Sequence, residues 1–209
     1  FQTGRYASEE LAMVAEDAVN GPLVDHLQNS RGVFDVVEGG AVIVPGGSSS
    51  YVIEANSNPR FLSLVSMLVN TNDAFVGANT VEFPGNGEKV VYLNSYDAGS
   101  EENTELQAHI PGPCCGNPGQ GNATEEKITL HPGLHGNGDL DPAVYGWDEP
   151  VGKLTIRRIY PKFEVTLYNL APATGPGASQ VLSPPVFATH NDDVHMWQTG
   201  SYASDELAN

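Results

Sequence analysis

The longest apolar run of the chain is FLSLVSMLV at residues 61–69, and it ends abruptly in the polar turn NTND at 70–73. Its nine residues are far fewer than the roughly 20 of a membrane helix, and they suit one strand buried on both faces. A second apolar run, KVVYL at 89–93, is followed by a polar turn that carries Asp97 and Glu101. Two core strands that each end in an acidic turn can bring those turns side by side, so the sequence predicts that Asp73 lies near them.

Composition favours a β protein with one core. The 209 residues include 23 Gly and 15 Pro but only 9 Lys and Arg, and 40% are hydrophobic, which is typical of many short strands joined by tight turns. A formal charge of −17 argues against nucleic acid or an anionic membrane as a partner, because both would repel this surface. No stretch reaches the roughly 18 apolar residues of a membrane helix, so we expect no membrane insertion.

Helical signals are confined to the first thirty residues. Ser8 can cap a short amphipathic helix with acidic residues in its first turn, and Gly21-Pro22 can open a second short helix. From residue 33 onward, short apolar runs predict strands instead. The predicted strands are 33–37, 41–45, 50–55, 61–69, a hairpin of 80–83 with 89–93, 153–160, 163–170 and 185–190.

Three stretches resemble the spondin domain, the amino-terminal module of F-spondin and mindin, in its bacterial form: SMLVNTNDAFVG, YDAGSEENTE and HPGLHGNGDLDPAVYGWDEPVGKLTIRRI. The resemblance implies a C2-like antiparallel β-sandwich, here with two short helices near the start, and an extracellular or cell-surface location. It also implies that Ca²⁺ is held between loops at one end by Asp73, Asp97 and Glu101. The animal domains carry Asp at the third of these positions, so Glu101 is a departure from the family pattern.

The two cysteines, Cys114 and Cys115, are adjacent in a loop rich in Gly and Pro. They can form a vicinal disulfide, bond to a neighbouring copy or remain thiols. We favour a disulfide of some kind, because the sequon Asn-Ala-Thr begins at Asn122 and also suits an extracellular protein. The sequence therefore predicts glycosylation at Asn122. The family pattern does not call for cysteines in this loop, so Cys114 and Cys115 are a departure from it.

The loop HPGLHGNGDLD at 131–141 invites a second interpretation, a metallohydrolase that uses His131, His135 and Asp139. Three glycines and a proline exclude the helix that would place the two histidines on one face. No nucleophile or general base is placed to use such a metal. We therefore favour a loop whose polar side chains support the calcium end or a turn, and we expect no enzymatic activity.

An internal repeat sets the organisation of the chain. FQTGRYASEELAM at 1–13 returns as WQTGSYASDELAN at 197–209, with nine of thirteen positions identical and an offset of 196 residues. The chain is therefore one period plus the start of the next. This predicts a sandwich body at 1–160 that lacks its leading strands, and a segment at 161–209 that holds leading strands and the start of the next repeat.

A sheet that lacks strands exposes unpaired backbone, which must be covered. We expect the strand at 163–170 to be added to the sheet of a neighbouring unit, through its apolar residues Phe163, Val165, Leu167 and Leu170. The expected partners are copies of the chain itself. The predicted function is a non-enzymatic, calcium-stabilised extracellular module of a filament or adhesive stalk, built from tandem repeats or from separate subunits. The alternative is a ligand-recognition or adhesion module that acts through the loops at its calcium end.

Overall fold

The computed structural model of the chain describes residues 1–55 and 60–191. Its strands form two antiparallel sheets, one of six strands in the order β1-β10-β3-β4-β6-β7 and one of four in the order β2-β9-β8-β5. The predicted class, a mainly β antiparallel sandwich with two short helices near the start, is confirmed. The elements are α1 Glu9–Asp17, α2 Gly21–Gln28, β1 Val33–Glu38, β2 Ser48–Ile53, β3 Phe61–Met67, β4 Ala74–Glu82, β5 Glu88–Leu93, β6 Ser95–Asp97, a 3₁₀ turn Gln107–His109, β7 Thr129–Leu130, α3 Pro142–Tyr145, β8 Gly152–Arg158, β9 Phe163–Asn169 and β10 Val186–His190.

The central strand β3 is buried on both faces, as its unbroken apolar run predicts. Leu62 and Leu64 face the four-stranded sheet and belong to the core between the two sheets. Val65 belongs to a second core, in which helices α1 and α2 cover the outer face of the six-stranded sheet. The protein therefore has three layers, and β3 runs through the middle one between β10 and β4.

Both helices form where the sequence predicts them. Ser8 caps α1, because its Oγ accepts a hydrogen bond from the backbone N–H of Leu11 at 3.3 Å. The helix ends at Ala18, which adopts the left-handed conformation with φ 56°. Pro22 lies in the first turn of α2, where its missing N–H is tolerated. Five side chains of the two helices are fully buried against the sheet: Leu11, Val14, Ala15, Leu23 and Leu27.

Two local predictions are wrong. β5 pairs with β8 in the four-stranded sheet rather than with β4, because Phe83 turns into the core, where its ring lies 4.4 Å from that of Phe163, and the chain crosses to the other sheet. The strand predicted at 41–45 is reduced to one bridge between Ile43 and Leu182. Only Ile43 of that run is buried, and its two neighbouring valines are about half exposed.

The C-terminal segment completes the sandwich of its own chain. β9 lies between β2 and β8, and β10 lies between β1 and β3. Phe163, Val165 and Leu167 pack in the core between the sheets, whereas Leu170 is partly exposed. In this structure the strand thus pairs within its own chain, whereas the sequence leads us to expect its addition to a neighbouring unit.

The physical reason is the short link between β8 and β9. The backbone N–H of Ile159 donates to the carbonyl oxygen of Lys162 at 2.8 Å, so the link forms a tight hairpin that returns β9 beside β8. The body at 1–160 does not lack strands once residues 163–190 are in place. The predicted domain boundary at residue 160 lies in the hairpin between β8 and β9, two paired strands of one sheet.

The first copy of the repeat is docked on the body. The ring of Phe1 lies edge-on to Phe75 at 5.0 Å and to Tyr96 at 4.9 Å. Gly77 makes room for this ring, since a Cβ there would lie 2.7 Å from it. The backbone of 1–13 is held by hydrogen bonds from Gly4 N–H to the oxygen of Ile128 and from Ile128 N–H to the oxygen of Arg5, at 2.8 and 2.7 Å. The second copy, 197–209, lies outside the described residues.

The start of the described chain lies close to its last strand. The Asn79 Nδ2 donates to the backbone oxygen of Phe1 at 2.6 Å. The Ser63 Oγ donates to the Oδ1 of Asn79 at 3.3 Å and lies 3.0 Å from the Nε2 of His190. Phe1 and the end of β10 are thus joined through two side chains. Within 1–55 and 60–191, no helix has the length and apolar content needed to cross a membrane.

Candidate calcium centre

The turn that carries Asp73 connects β3 to β4 and is fixed by its own polar groups. The Thr71 Oγ donates to the oxygen of Leu68 at 2.6 Å and accepts from the N–H of Ala74 at 3.1 Å. The N–H of Leu68 donates to the oxygen of Ala74 at 2.8 Å. These bonds close the turn, so Asp73 is held at the end of the sheet and is fully buried.

Asp97 lies beside Asp73 because β6 pairs with β4. Ala74 is the register partner of Asp97, and the N–H of Ala98 donates to the backbone oxygen of Asp73 at 3.2 Å. The loop after β6 then folds over the Asp73 side chain. The structure therefore brings together the two acidic turns that the sequence places after separate apolar runs.

The two carboxylate oxygens of Asp73 have unequal surroundings. Oδ2 accepts hydrogen bonds from the N–H groups of Ser100 and Glu101, at 2.8 and 3.0 Å, and from the Ser100 hydroxyl at 3.3 Å. Oδ1 is buried and has no hydrogen-bond partner among the described residues. A buried acceptor without a partner is costly, so a cation that contacted this oxygen would remove that cost.

Glu101 contributes the third predicted carboxylate. Its carboxyl group lies against the backbone of Gly121, where an added Cβ would be 1.9 Å from both carboxylate oxygens. Glu101 also forms an isolated bridge with Ala123. A side chain at position 121 would therefore meet the Glu101 carboxyl group, which would have to move aside.

The carboxylates of the cluster resist ionisation. Burial, reinforced by the charge of Asp97, raises the pKa of Asp73 to about 7, although the N–H groups of Glu101 and Ser100 oppose the shift. Burial also raises the pKa of Asp97, against the hydrogen bonds from Asn103 and Gly99. Burial and then repulsion from Glu16, Asp73 and Asp17 raise the pKa of Glu101 to about 8.

We expect the metal-free protein to lose thermal stability as pH rises from about 5 to about 8. Because the pKa values of Asp73 and Glu101 are raised in the folded state, the folded protein holds protons at pH values where the unfolded chain has released them. The resulting stabilisation is complete below about pH 4, near the ordinary pKa of these groups. It is lost as the pH rises through the folded pKa values of about 7 and about 8. Melting curves of metal-free protein at several pH values test this. The variant Glu101→Gln should have a shallower pH dependence, and an identical slope in the variant would contradict the expectation.

A chain of hydrogen bonds positions Asp97. Its Oδ1 accepts from the N–H of Gly99 at 2.7 Å, and its Oδ2 accepts from the Nδ2 of Asn103. The Asn103 Oδ1 pairs with the Nε2 of His131 at 3.1 Å, and the His131 Nδ1 accepts from the N–H of Gly133 at 3.0 Å. Burial lowers the pKa of His131 to about 4, so the ring is neutral and its Nε2–H donates to Asn103.

The loop 131–141 thus supports the acidic end of the sandwich, as we favour from the sequence. His131 uses both ring nitrogens in hydrogen bonds, and the Asp139 Oδ1 accepts from the N–H of Gln107 at 2.6 Å. The carboxylate of Glu105 accepts from the N–H groups of His135 and Asn137, at 2.6 and 2.7 Å. The loop is therefore folded around Glu105, and its polar groups serve loop geometry.

The three carboxylates do not form a ready-made cage. Within the described residues, no three His, Cys, Asp or Glu side chains are arranged to hold a metal ion by themselves. Ca²⁺ takes six to eight oxygen ligands and accepts amide, carbonyl and water oxygens as well as carboxylates. The unpartnered Asp73 oxygen fits this ion as one ligand of a mixed shell, in which Asp97 and Glu101 would be the further carboxylates.

Cys114 and Cys115 form a vicinal disulfide, with an S–S distance of 2.05 Å, and the structure contains no free cysteine among its described residues. The N–H of Cys114 donates to the Oδ1 of Asn70 at 3.3 Å, so this loop is tied to the turn that carries Asp73.

Asn122 is exposed and its Nδ2 donates to Glu102 at 2.9 Å. The sequon therefore lies beside the acidic loop, and its glycosylation stays a prediction.

Sequence reasoning missed Asn103, Glu16 and Asp17. The Asp17 Oδ1 accepts from the N–H of Gly119 at 3.0 Å, and the charges of both α1 acids act on Glu101. A signal was present, because Glu16 and Asp17 end a helix whose negative dipole end disfavours acidic residues. Acids at that position indicate that something other than the helix requires them.

The sequence also matches a known domain family. The Spondin_N family model, for the spondin N-terminal domain, matches residues 1–111, which is just over half of the chain and includes Asp73, Asp97 and Glu101. No curated protein and no solved structure matches the chain. The chain therefore belongs to the spondin N-terminal domain family, a family of non-catalytic modules that are typically extracellular.

Proposed function

We propose that the chain is a calcium-stabilised structural unit of an extracellular filament or adhesive stalk, repeated along one polypeptide. The observation that carries the calcium part is the buried Asp73 Oδ1, which has no partner among the described residues. A divalent cation at this oxygen would offset the charge of Asp97 and Glu101 and supply the missing contact. The ion would stabilise the folded state by binding that state alone.

The cation would also tie together parts of the chain that are distant in sequence. The acidic cluster joins the β3–β4 turn, the loop after β6 and the end of α1. Helix α1 begins at Glu9, within the repeated segment 1–13, and ends at the cluster. Calcium at this position would therefore fix the docked start of each unit to its sandwich, which is a useful property for a load-bearing polymer.

The repeat supports tandem arrangement. The contacts of the first copy use Phe1, Ala7, Ser8 and Leu11, and the second copy carries Trp, Ala, Ser and Leu at the matching positions. Since β9 and β10 already complete their own sandwich, the route to a filament is repetition along the chain, with each period supplying one unit. The side chains that dock the start of one unit are therefore supplied again for the next.

A chain that carries residues 1–196 twice tests the proposal. We expect isothermal titration calorimetry to give two Ca²⁺ ions per such chain and one per chain of 209 residues. We expect sedimentation velocity to show an elongated particle with two folded units. Absence of calcium binding in both chains would contradict the calcium part, whereas a second period that binds no ion and unfolds separately would contradict the tandem part.

A further inference from the structure

Three asparagines of the chain are each followed by glycine: Asn20, Asn86 and Asn137. In such a pair the side-chain amide can be lost, because the backbone nitrogen of the glycine can attack the amide carbon of the asparagine. Glycine favours this reaction, since it has no Cβ to hinder the approach and its backbone rotates freely. The three pairs are alike in sequence, and only their surroundings in the folded chain separate them.

Asn20 is protected by burial. The residue is 4% exposed, and its Nδ2 donates to the backbone oxygen of Pro184 at 2.9 Å. Its backbone is helical, with φ −79° and ψ −28°, because Asn20 stands at the start of α2. Attack by the next backbone nitrogen would therefore require the first turn of α2 to open and the amide to leave its partner.

Asn137 is exposed, but its backbone is held by Glu105. The N–H of Asn137 donates to the Glu105 carboxylate at 2.7 Å. Gly138 packs against the same residue, since a Cβ there would lie 2.2 Å from the backbone oxygen of Glu105. The N–H of Asp139 then donates to that oxygen at 3.0 Å. The backbone is thus fixed on both sides of the Asn137–Gly138 bond, and the Gly138 nitrogen cannot turn toward the side chain without breaking these contacts.

Asn86 lies in the turn between β4 and β5, and its surroundings are open. Asn86 and Gly87 are both exposed. A Cβ at Gly87 would meet no atom within 4 Å among the described residues beyond its chain neighbours. Neither the Asn86 amide nor the N–H of Gly87 has a hydrogen-bond partner in the described part of the chain. Nothing described there opposes the rotation that brings the Gly87 nitrogen to the Asn86 amide carbon.

We propose that Asn86 is the site of spontaneous deamidation in the folded chain, and that Asn20 and Asn137 are protected. The backbone nitrogen of Gly87 loses its proton and bonds to the Asn86 Cγ. The bond from Cγ to Nδ2 breaks, so ammonia leaves and a cyclic succinimide remains. Water then opens the ring: addition at Cγ gives aspartate, and addition at the backbone carbonyl carbon gives isoaspartate. Water is the only co-reactant, and nothing is oxidised or reduced.

Either product adds one negative charge where Arg158 holds the turn. The Arg158 Nη1 donates to the oxygen of Gly85 at 2.7 Å, and its N–H donates to the oxygen of Gly87 at 3.3 Å. Isoaspartate also lengthens the backbone between these two carbonyl groups by one carbon, so we expect it to displace the Gly87 carbonyl from Arg158. Strand β4 begins directly after Asp73 and ends at this turn. The site is therefore at the other end of β4 from the acidic cluster, and the proposal does not depend on the calcium centre.

Mass spectrometry of aged protein tests the proposal. Trypsin places the three pairs on separate peptides, at 6–31, 61–89 and 128–153, and fragment ions locate the acid within each peptide. One sample of the whole chain is stored folded in neutral buffer, and a second is stored unfolded in guanidinium chloride. We expect folding to slow conversion by less than about threefold at Asn86 and by about tenfold or more at Asn20 and Asn137, because the latter two must wait for local opening.

Two variants connect the modification to a change in charge. Asn86→Gln removes the site, since glutamine would have to close a larger ring, and the acidic species that anion-exchange chromatography separates from aged protein should be lost. Asn137→Gln, the same change at another exposed Asn-Gly pair, is the matched control and should leave that species in place. Equal slowing of all three sites by folding, or an acidic species that persists in Asn86→Gln, overturns the proposal.

Discussion

Replacing Asp73 with asparagine is expected to remove most of the stabilisation by Ca²⁺, so that the variant and the wild type exchange their order of stability between metal-free buffer and Ca²⁺. In metal-free buffer the variant should be at least as stable as the wild type. A neutral amide avoids the cost of burying a charge and the repulsion from Asp97, the two effects that raise the pKa of Asp73. Its carbonyl oxygen can still accept from the N–H groups of Ser100 and Glu101. In Ca²⁺ the wild type should become the more stable of the two, because the variant has lost its central carboxylate.

The size of the effect follows from mass action. At a free Ca²⁺ concentration one hundred times Kd, binding to the folded state alone adds about 2.7 kcal/mol to the free energy of unfolding. Thermal melts of both proteins with and without Ca²⁺ measure it. Asp25→Asn, an exposed change on α2, is the matched control and should keep the wild-type response. An equal Ca²⁺ shift in Asp73→Asn and the wild type would rule out Asp73 as a ligand.

The variant Val165→Asp is expected to unfold the isolated chain. Val165 is fully buried in the core between the sheets, on the strand that lies between β2 and β8. An unpaired carboxylate there costs several kcal/mol, which is comparable to the 5–15 kcal/mol total stability of a typical domain. Circular dichroism and sedimentation should therefore show an unfolded monomer.

The same variant distinguishes a β9 that pairs within its own chain from a β9 that is added to a neighbouring unit. If β9 were supplied to a neighbouring unit, Val165→Asp would leave each body folded and affect only its association with other copies. Glu164→Asp, a conservative change at the neighbouring position of the same strand whose side chain pairs with Arg157 at the surface, is the control and should remain folded with a melting temperature close to that of the wild type. A folded, monomeric Val165→Asp protein would contradict the intramolecular place of β9.

The features that the sequence predicts well are local ones. An unbroken apolar run specifies β3 as a strand buried on both faces, and Ser8 with its following acids specifies the start of α1. The closeness of Asp73 and Asp97 also follows, because each lies where an apolar run turns polar. In the first two cases the residues that decide the outcome lie within a few positions of one another, and in the third each turn is marked by its own local sequence.

The features that it does not predict depend on pairing between distant strands. The short link after Tyr160 is compatible with a hairpin or with an extended passage to another unit, and only the core contacts of Val165 and Leu167 decide for the hairpin. The departure of β5 from β4 is likewise decided by Phe83 packing on Phe163. The unpartnered Oδ1 of Asp73 could not be found in advance, because the lack of a partner is a property of the folded state alone.

The closeness of Phe1 and His190, which Asn79 and Ser63 connect, has a mechanical consequence for a tandem polymer. Tension carried from one unit to the next would enter and leave each sandwich at the same edge, so most of the two sheets would carry no load. The docked segment 1–13 would be pulled off first, beginning with the Phe1 ring, while the core between the sheets stayed folded. Each period would then release a short length of chain under strain and take it back on relaxation, which would give the filament extensibility without unfolding of its units.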